Sequence, residues 1–334
     1  MKLTLPTPFH APLPVKLFAA LGTGNLRYVG GCVRNVVLGL PIHDIDMATT
    51  HPPQEVMDIL ASHRIRTIPT GLKHGTVSVP FGQYMIEITT LRRDMTTDGR
   101  HAIVEFSSDW AADAARRDFT MNALYMDQDG QIFDPLGCGI TDLKNHSVRF
   151  IGDASARIAE DYLRILRFFR FSLYYGDGFL EPQGLKACTQ ARAGLRTLSR
   201  ERITQELTKI IIHDECVKML EEMQGARILS PLYTRQRNWP HVLIRLINLQ
   251  HAPSQTHPKL RLSHEMILSQ RILALCGPRK CLPKSAVKDL SISEHLCLSR
   301  AQTNLIKKFA KLVSKKKTWT LFDFNLLRYE NGED

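Results

Sequence analysis

The sequence predicts an α+β fold in which an N-terminal mixed sheet with flanking helices is followed by an all-helical region. Three observations lead there. From residue 25 to about 150, short β-rich runs alternate with helical patterns, as in a sheet covered by helices. After Gly152 the pattern changes to long helical stretches. The chain has 334 residues, more than one hydrophobic core usually organises, so several compact units are expected.

The elements follow in order. The first fifteen residues hold several prolines and only two short apolar runs, which lacks the basic region and continuous apolar core of a secretory signal. A strand over Leu26–Val29 ends at Gly30-Gly31, and a helical stretch runs from there to Gly39. A strand is expected over 45–48, and a helix over 56–60 behind Pro52 and Pro53. Two further strands fit 76–80 and Tyr84–Thr90. Asp109 heads an alanine-rich run and suits a helix N-cap, while 123–126 reads as a strand. Beyond Gly152, helices are expected over 159–174, 182–193, 199–213 and 216–224. The stretch 235–258 is richer in Pro, His and Asn, and Lys315-Lys316-Lys317 lies near the C-terminus.

With 43% hydrophobic and 23% charged residues, the composition is that of a folded globular protein and excludes a disordered or fibrous one. No window reaches the ~18 apolar residues of a membrane span. The seven cysteines are odd in number and irregular in spacing, which fits a reducing compartment, so a cytoplasmic location is expected. Cys276, Cys281, His295 and Cys297 match no common zinc spacing and are read as free side chains. Against 33 acidic residues stand 44 basic ones, a net charge of +11 that favours a polyanionic partner such as nucleic acid.

The chemistry begins at Gly30-Gly31-Cys32-Val33-Arg34-Asn35, where a strand, two glycines and a helix start follow one another. Glycine lets the backbone approach a phosphate, and the helix N-terminus offers unpaired N–H groups. Next comes Asp44-Ile45-Asp46. On a strand, side chains two apart share a face, so both carboxylates converge where they could hold a divalent metal for phosphoryl transfer. An isolated Asp-x-Asp is more often a solvated turn; the ordered pairing with the glycine turn argues otherwise.

Gly30-Gly31-x-Val33-Arg34, Gly39 and Asp44-x-Asp46-x-Ala48-Thr49 together resemble the signature of the class II tRNA nucleotidyltransferases (CCA-adding enzymes) and bacterial poly(A) polymerases, within the DNA polymerase beta-like superfamily. Similar motifs continue: Glu87-Ile88-Thr89-Thr90-Leu91-Arg92, Thr97-Asp98-Gly99-Arg100-His101, Arg116-Arg117-Asp118-Phe119-Thr120-Met121-Asn122, and Asp134-Pro135-Leu136-Gly137. They are followed by Glu160-Asp161-x-x-Arg164-x-x-Arg167-x-x-Arg170 and Ser199-x-Glu201-Arg202-Ile203-x-x-Glu206-x-x-Lys209. The resemblance covers about residues 26 to 212, and Asn35 stands where the family often has Asp.

The resemblance implies a nucleotidyltransferase head over 1–146, a helical neck with a nucleotide-selecting helix over 147–225, and an RNA-binding body and tail over 226–334. It implies that CTP and ATP are used with Mg2+ to add CCA to the 3′ end of tRNA, with no obligate protein partner and no membrane. Asp44, Asp46 and Glu87 would hold the metal and be catalytic. Gly30, Gly31, Arg34, Arg116 and Arg117 would bind the triphosphate. Asp118 and Asn122, four apart, would share a helix face and order the arginines or reach the ribose. Asp161 and Arg164, three apart on a helix, would read the base, followed by Arg167 and Arg170. The polar segment 92–106 is similar to the family's flexible loop, while Lys73-His74-Gly75-Thr76 reads equally well as an ordinary loop. A poly(A) polymerase or A-adding enzyme would use the same head. An inactive RNA-binding protein is the reading from a different class, and a metal phosphohydrolase lacks a His-Asp cluster in the helical half.

Overall fold

The computed structural model describes residues 1–231 apart from 83 and 98–101, together with 298, 300, 303 and 304. The chain divides into two units, 1–164 with 175–187, and 165–174 with the residues from 188 onward. Its helices are α1 (Pro12–Leu21), α2 (Gly31–Leu38), α3 (Pro53–Ser62), α4 (Trp110–Ala115), α5 (Gly139–Lys144), α6 (Ala154–Glu160), α7 (Leu163–Tyr175), α8 (Pro182–Ala191), α9 (Arg200–Ile212) and α10 (Cys216–Gly225). Its strands are β1 (Leu26–Val29), β2 (Ile45–Thr49), β3 (Ile68–Gly71), β4 (Thr76–Phe81), β5 (Tyr84–Thr90), β6 (Arg92–Thr97), β7 (Ala102–Phe106), β8 (Tyr125–Met126) and β9 (Ile132–Phe133).

In the first unit, seven strands form one sheet in the order β3-β4-β5-β2-β1-β8-β9. The pair β2–β5 is parallel and the other neighbours are antiparallel. On β1, Tyr28 is buried against the rings of Phe9 and Phe18. Val29 points the other way, into a core with Ala48, Leu91, Ala114, Ala123, Tyr125 and Ile151. This two-residue alternation fixes which face of each strand meets the core. Helix α1 starts with Pro12 and Pro14 in its first turn, where the missing N–H has no partner to lose. Helix α2 ends at Gly39, whose left-handed backbone (φ 65°) lets its N–H turn back to the last carbonyls.

In the second unit, α9 buries Ile203, Leu207, Ile210 and Ile211, and α10 buries Cys216, Met219, Leu220 and Met223. Spacings of three and four place each set on one helix face, and the two helices pack together. Ser199 accepts a bond from the Arg202 N–H as the cap of α9.

Three local expectations are corrected. The segment 92–106 is not a loop throughout: β6 and β7 form a two-stranded antiparallel ribbon with Arg92 opposite Phe106 and Thr97 opposite Ala102. Thr96, Thr97, Ile103 and Val104 are β-branched and suit extended backbone. The motif residues Asp98 to His101 lie outside the described residues. The helix expected over 159–174 is two helices, α6 and α7, because Asp161 is extended (φ −155°, ψ 107°) and its carboxylate accepts the Leu163 N–H. Asp118 and Asn122 stand at a short 3-10 turn, Thr120–Asn122, rather than on an α-helix. The stretch 235–258, Lys315-Lys316-Lys317, and Cys276, Cys281, His295 and Cys297 also lie outside the described residues.

Candidate active site

The site is built where β1 passes into α2. Gly30 has φ 71° and ψ −124°, a conformation that side chains rarely adopt. A Cβ there would stand 3.6 Å from an Arg117 guanidinium nitrogen, and one on Gly31 would stand 3.7 Å from Nη2 of Arg34. The two glycines therefore lie directly beside two guanidinium groups, with the start of α2 behind them.

Arg34 is buried. Its Nη1 donates to Asn122 Oδ1 at 2.6 Å, its Nη2 to the Tyr175 hydroxyl at 2.7 Å, and its Nε and Nη2 to Asn35 Oδ1 at 3.3 and 3.1 Å. Its guanidinium also lies 3.9 Å from the centre of the Tyr175 ring. Asn122 in turn donates to Asp118 Oδ1 at 3.0 Å. Asp118 and Asn122 do not share a helix face as expected, but this bond links Asp118 to Arg34 through the Asn122 amide.

Arg116 and Arg117 are held by a residue that the sequence reading passed over. Asp113 accepts Nε and Nη2 of Arg116 at 2.8 and 2.6 Å, and Nε and Nη2 of Arg117 at 3.3 and 3.0 Å. It also accepts the Tyr125 hydroxyl at 2.7 Å and the Arg92 backbone N–H at 3.3 Å. Burial pushes the Asp113 carboxyl up, but Arg117, Arg116 and Tyr125 outweigh it and hold the group below the usual carboxylate range. Conversely, burial lowers Arg117, and Asp113 with Tyr125 more than restores its charge. The signal was legible: Asp113 stands three and four residues before the two arginines, a helical pairing distance.

The carboxylates come from neighbouring strands. Asp46 on β2 is directly opposite Glu87 on β5 in the parallel register, and Asp44 stands just before β2. Ile45, Ile86 and Ile88 are buried, so alternation turns Asp46 and Glu87 to the open face. Burial, then Glu87, then Asp44, push Asp46 up to about 6, while Arg117 pulls the other way. Among the described residues, none of the three carboxylates has an ion pair or side-chain hydrogen bond, and no group of three His, Cys, Asp or Glu is drawn together tightly enough to hold a metal alone. What the structure does show is crowding: Asp46 and Glu87 stand opposite each other on neighbouring strands, and Glu87 adds to the cost of ionising Asp46, a repulsion that a divalent cation relieves.

The remaining motif residues are placed elsewhere. Glu160 accepts Arg157 Nη1 and Arg164 Nη1, and Arg164 also donates to the Arg157 carbonyl. Asp161 caps α7, so Asp161 and Arg164 do not share one helix face as expected. In the second unit, Arg170 Nε donates to the buried Glu206 at 2.6 Å, with Arg167 3.8 Å from the same carboxylate. Both arginines also lie against the Phe171 ring. Lys73-His74-Gly75-Thr76 forms a 3-10 turn leading into β4, and the His74 carbonyl accepts Arg92 Nη1. A cavity lined by Leu3, Leu5, Phe9, Phe18 and Tyr28 contains none of these groups.

Residues 26–149 match the poly A polymerase head domain family, and 179–236 match the family described as the probable RNA and SrmB-binding site of polymerase A. The chain is 48% identical over 194 residues to the mitochondrial CCA tRNA nucleotidyltransferase 1 of Homo sapiens, an alignment covering 56% of this chain and 44% of that one. It is 46% identical over 206 residues to the CCA-adding enzyme of Oceanobacillus iheyensis, covering 61% and 50%. The chain thus spans about half the length of the curated relatives it matches. Among solved structures, the Bacillus stearothermophilus CCA-adding enzyme in complex with CTP superposes with a TM-score of 0.60 at 26% identity, covering 92% of this chain and 84% of that one.

Proposed function

We propose that the chain, which matches the poly A polymerase head domain family over 26–149 and is similar to CCA-adding enzymes over about half their length, adds the terminal CCA to the 3′ end of tRNA from CTP and ATP. The observation that carries this reading is the Asp46–Glu87 register on adjacent parallel strands, with Asp44 alongside, next to a glycine turn flanked by Arg34 and Arg117. Asp44, Asp46 and Glu87 would hold Mg2+, which when bound supplies charge stabilisation of the transferred phosphoryl group. Gly30 and Gly31 admit the triphosphate close to the backbone, and Arg34, Arg116 and Arg117 grip its oxygens with planar paired donors. Asp118 and Asn122 keep Arg34 in place.

Base choice falls to Asp161 and Arg164 in this reading. A carboxylate acceptor from Asp161 at the head of α7 and a guanidinium donor from Arg164 within it would have to reach the base together to match cytosine and adenine, which each present an amino group next to an unprotonated ring nitrogen. Guanine and uracil present the opposite pattern and would leave buried polar groups unmatched, at about 1–3 kcal/mol each. Arg167 and Arg170 belong to the second unit, where both lie at the Glu206 carboxylate.

The proposal assigns 1–146 to the catalytic head, 147–225 to the neck, and 226–334 to RNA binding. No helix among the described residues is long and apolar enough to cross a membrane. We place the protein in the cytoplasm, on the irregular cysteines and the free state of Cys32, Cys138, Cys188 and Cys216; fractionation into an organelle overturns that.

The experiment is to incubate the purified chain with tRNA ending before, within and just short of CCA, with each nucleotide separately and Mg2+. CMP and then AMP incorporation is expected, lost in Asp44→Asn and Asp46→Asn with tRNA affinity retained. AMP incorporation alone identifies a poly(A) polymerase or A-adding enzyme. A shift in tRNA mobility without lengthening identifies an inactive RNA-binding protein.

A further inference from the structure

Asn35 stands where many members of the family carry Asp, and the structure gives its carboxamide two uses, one of which a carboxylate could not serve. Its Oδ1 accepts both Nε and Nη2 of Arg34, at 3.3 and 3.1 Å. Its Nδ2 donates to the Pro41 carbonyl at 2.8 Å. The orientation of the amide follows from its surroundings: reversing it would set N–H against N–H at Arg34 and oxygen against oxygen at Pro41. The backbone carbonyl of Asn35 accepts the Leu40 N–H at 2.8 Å, so main chain and side chain of one residue hold the same segment.

That segment, from Leu40 to His43, contains no helix or strand and delivers Asp44 to the mouth of β2. Asp46 is fixed by the pairing of β2 with β1 and β5. Asp44 lies before the first paired residue and depends on how residues 40–43 are held. We propose that Asn35 is a positioning residue: its amide N–H, bonded to Pro41, sets the approach of Asp44 to the metal, while its oxygen keeps the neighbouring Arg34 in line with the same site. This rests on the proposed role of Asp44 as a metal ligand, in which a hydrogen-bonded supporting group fixes the geometry of the ligand.

The chain's own metal binding tests it, with Mn2+ as the probe, followed by electron paramagnetic resonance on the whole 334-residue chain. Two variants are compared with the wild type. Asn35→Ala removes both bonds; Asn35→Asp keeps the oxygen toward Arg34, removes the donor and turns an oxygen toward the Pro41 carbonyl. Both are expected to raise the Mn2+ dissociation constant about fivefold, the worth of one hydrogen bond. In parallel, the Mg2+ needed for half-maximal CMP incorporation should rise by a similar factor, with the tRNA KM unchanged. Wild-type Mn2+ affinity in Asn35→Ala overturns the proposal. Wild-type affinity in Asn35→Asp with loss in Asn35→Ala also overturns it, since the bond to Arg34 would then be the one that matters. If the wild type adds no nucleotide to tRNA, the functional reading fails, while the Mn2+ measurement still decides the role of Asn35.

Discussion

Asp113 takes hydrogen bonds from four residues while lying almost wholly out of water. Removing it strands two arginines in a partly buried setting, so Asp113→Ala is expected to cost about 3–5 kcal/mol of stability, read from urea unfolding. Its folded value is depressed, so the stabilisation is present above the ordinary carboxylate value and is lost as pH falls through the lower folded one. The acid limb of the stability curve should therefore be shallower in the variant, and an unchanged limb would remove Asp113 from that role. Asp46 behaves oppositely. Its folded value of about 6 lies above the ordinary 3.8, so the folded state resists its ionisation and stability declines as pH rises between those values. At neutral pH and without metal, Asp46→Asn should melt higher, by about 2 kcal/mol after allowing for partial solvent exposure, although it is expected to be inactive. A variant that melts no higher in EDTA would mean the carboxylates do not crowd. Alternation placed Asp46 on a strand, whereas only the family motif singled out Glu87, and Asp44 falls just before β2 and not on it as alternation expected. Asp113 was passed over because it lies outside the Arg-Arg-Asp motif, although its helical spacing to the arginines was in plain sight.

Helices and strands with strong periodicity were the readable elements: the glycine turn between β1 and α2, the Asp109 cap of α4, and α8 to α10. Periodicity could not reveal the break between α6 and α7, because Asp161 leaves the helix through a backbone rotation that places its own carboxylate on the Leu163 N–H. Polarity alone made the 92–106 ribbon look like a loop. Its root is tied at the turn before β4: Arg92 donates to the His74 carbonyl, and a Cβ on Gly75 would come 2.9 Å from the Phe106 ring. With φ at +84°, Gly75 also favours glycine for its backbone. Gly75→Ala should therefore shift the root of the ribbon, and shortening 94–101 should alter its reach. In both variants AMP incorporation is expected to fall more than CMP incorporation, measured on tRNA ending before and just short of the final A. Equal loss of the two would assign the ribbon a general structural role.

For the molecule as a whole, an excess of eleven positive charges would make phosphate contacts the main source of affinity for the proposed tRNA substrate. Raising salt from about 50 to 200 mM should weaken tRNA binding roughly a hundredfold or more, whereas Asp44→Asn or Asp46→Asn should change it little. A shallow salt dependence, read by gel shift, would move the affinity to uncharged contacts. The division into two units was not legible from composition. The first unit takes back residues 175–187 after the chain has already entered the second, and no shift of residue usage marks the crossing. One consequence belongs to synthesis rather than to catalysis. Tyr175, on whose hydroxyl Arg34 rests, follows that arginine by 141 positions. At about 5–20 residues per second, a ribosome needs roughly 7–28 s to make that stretch. A nascent chain therefore holds its glycine turn, Asp44 and Asp46 long before the phenol that steadies Arg34 exists, and the first unit closes only once most of the described chain has been translated.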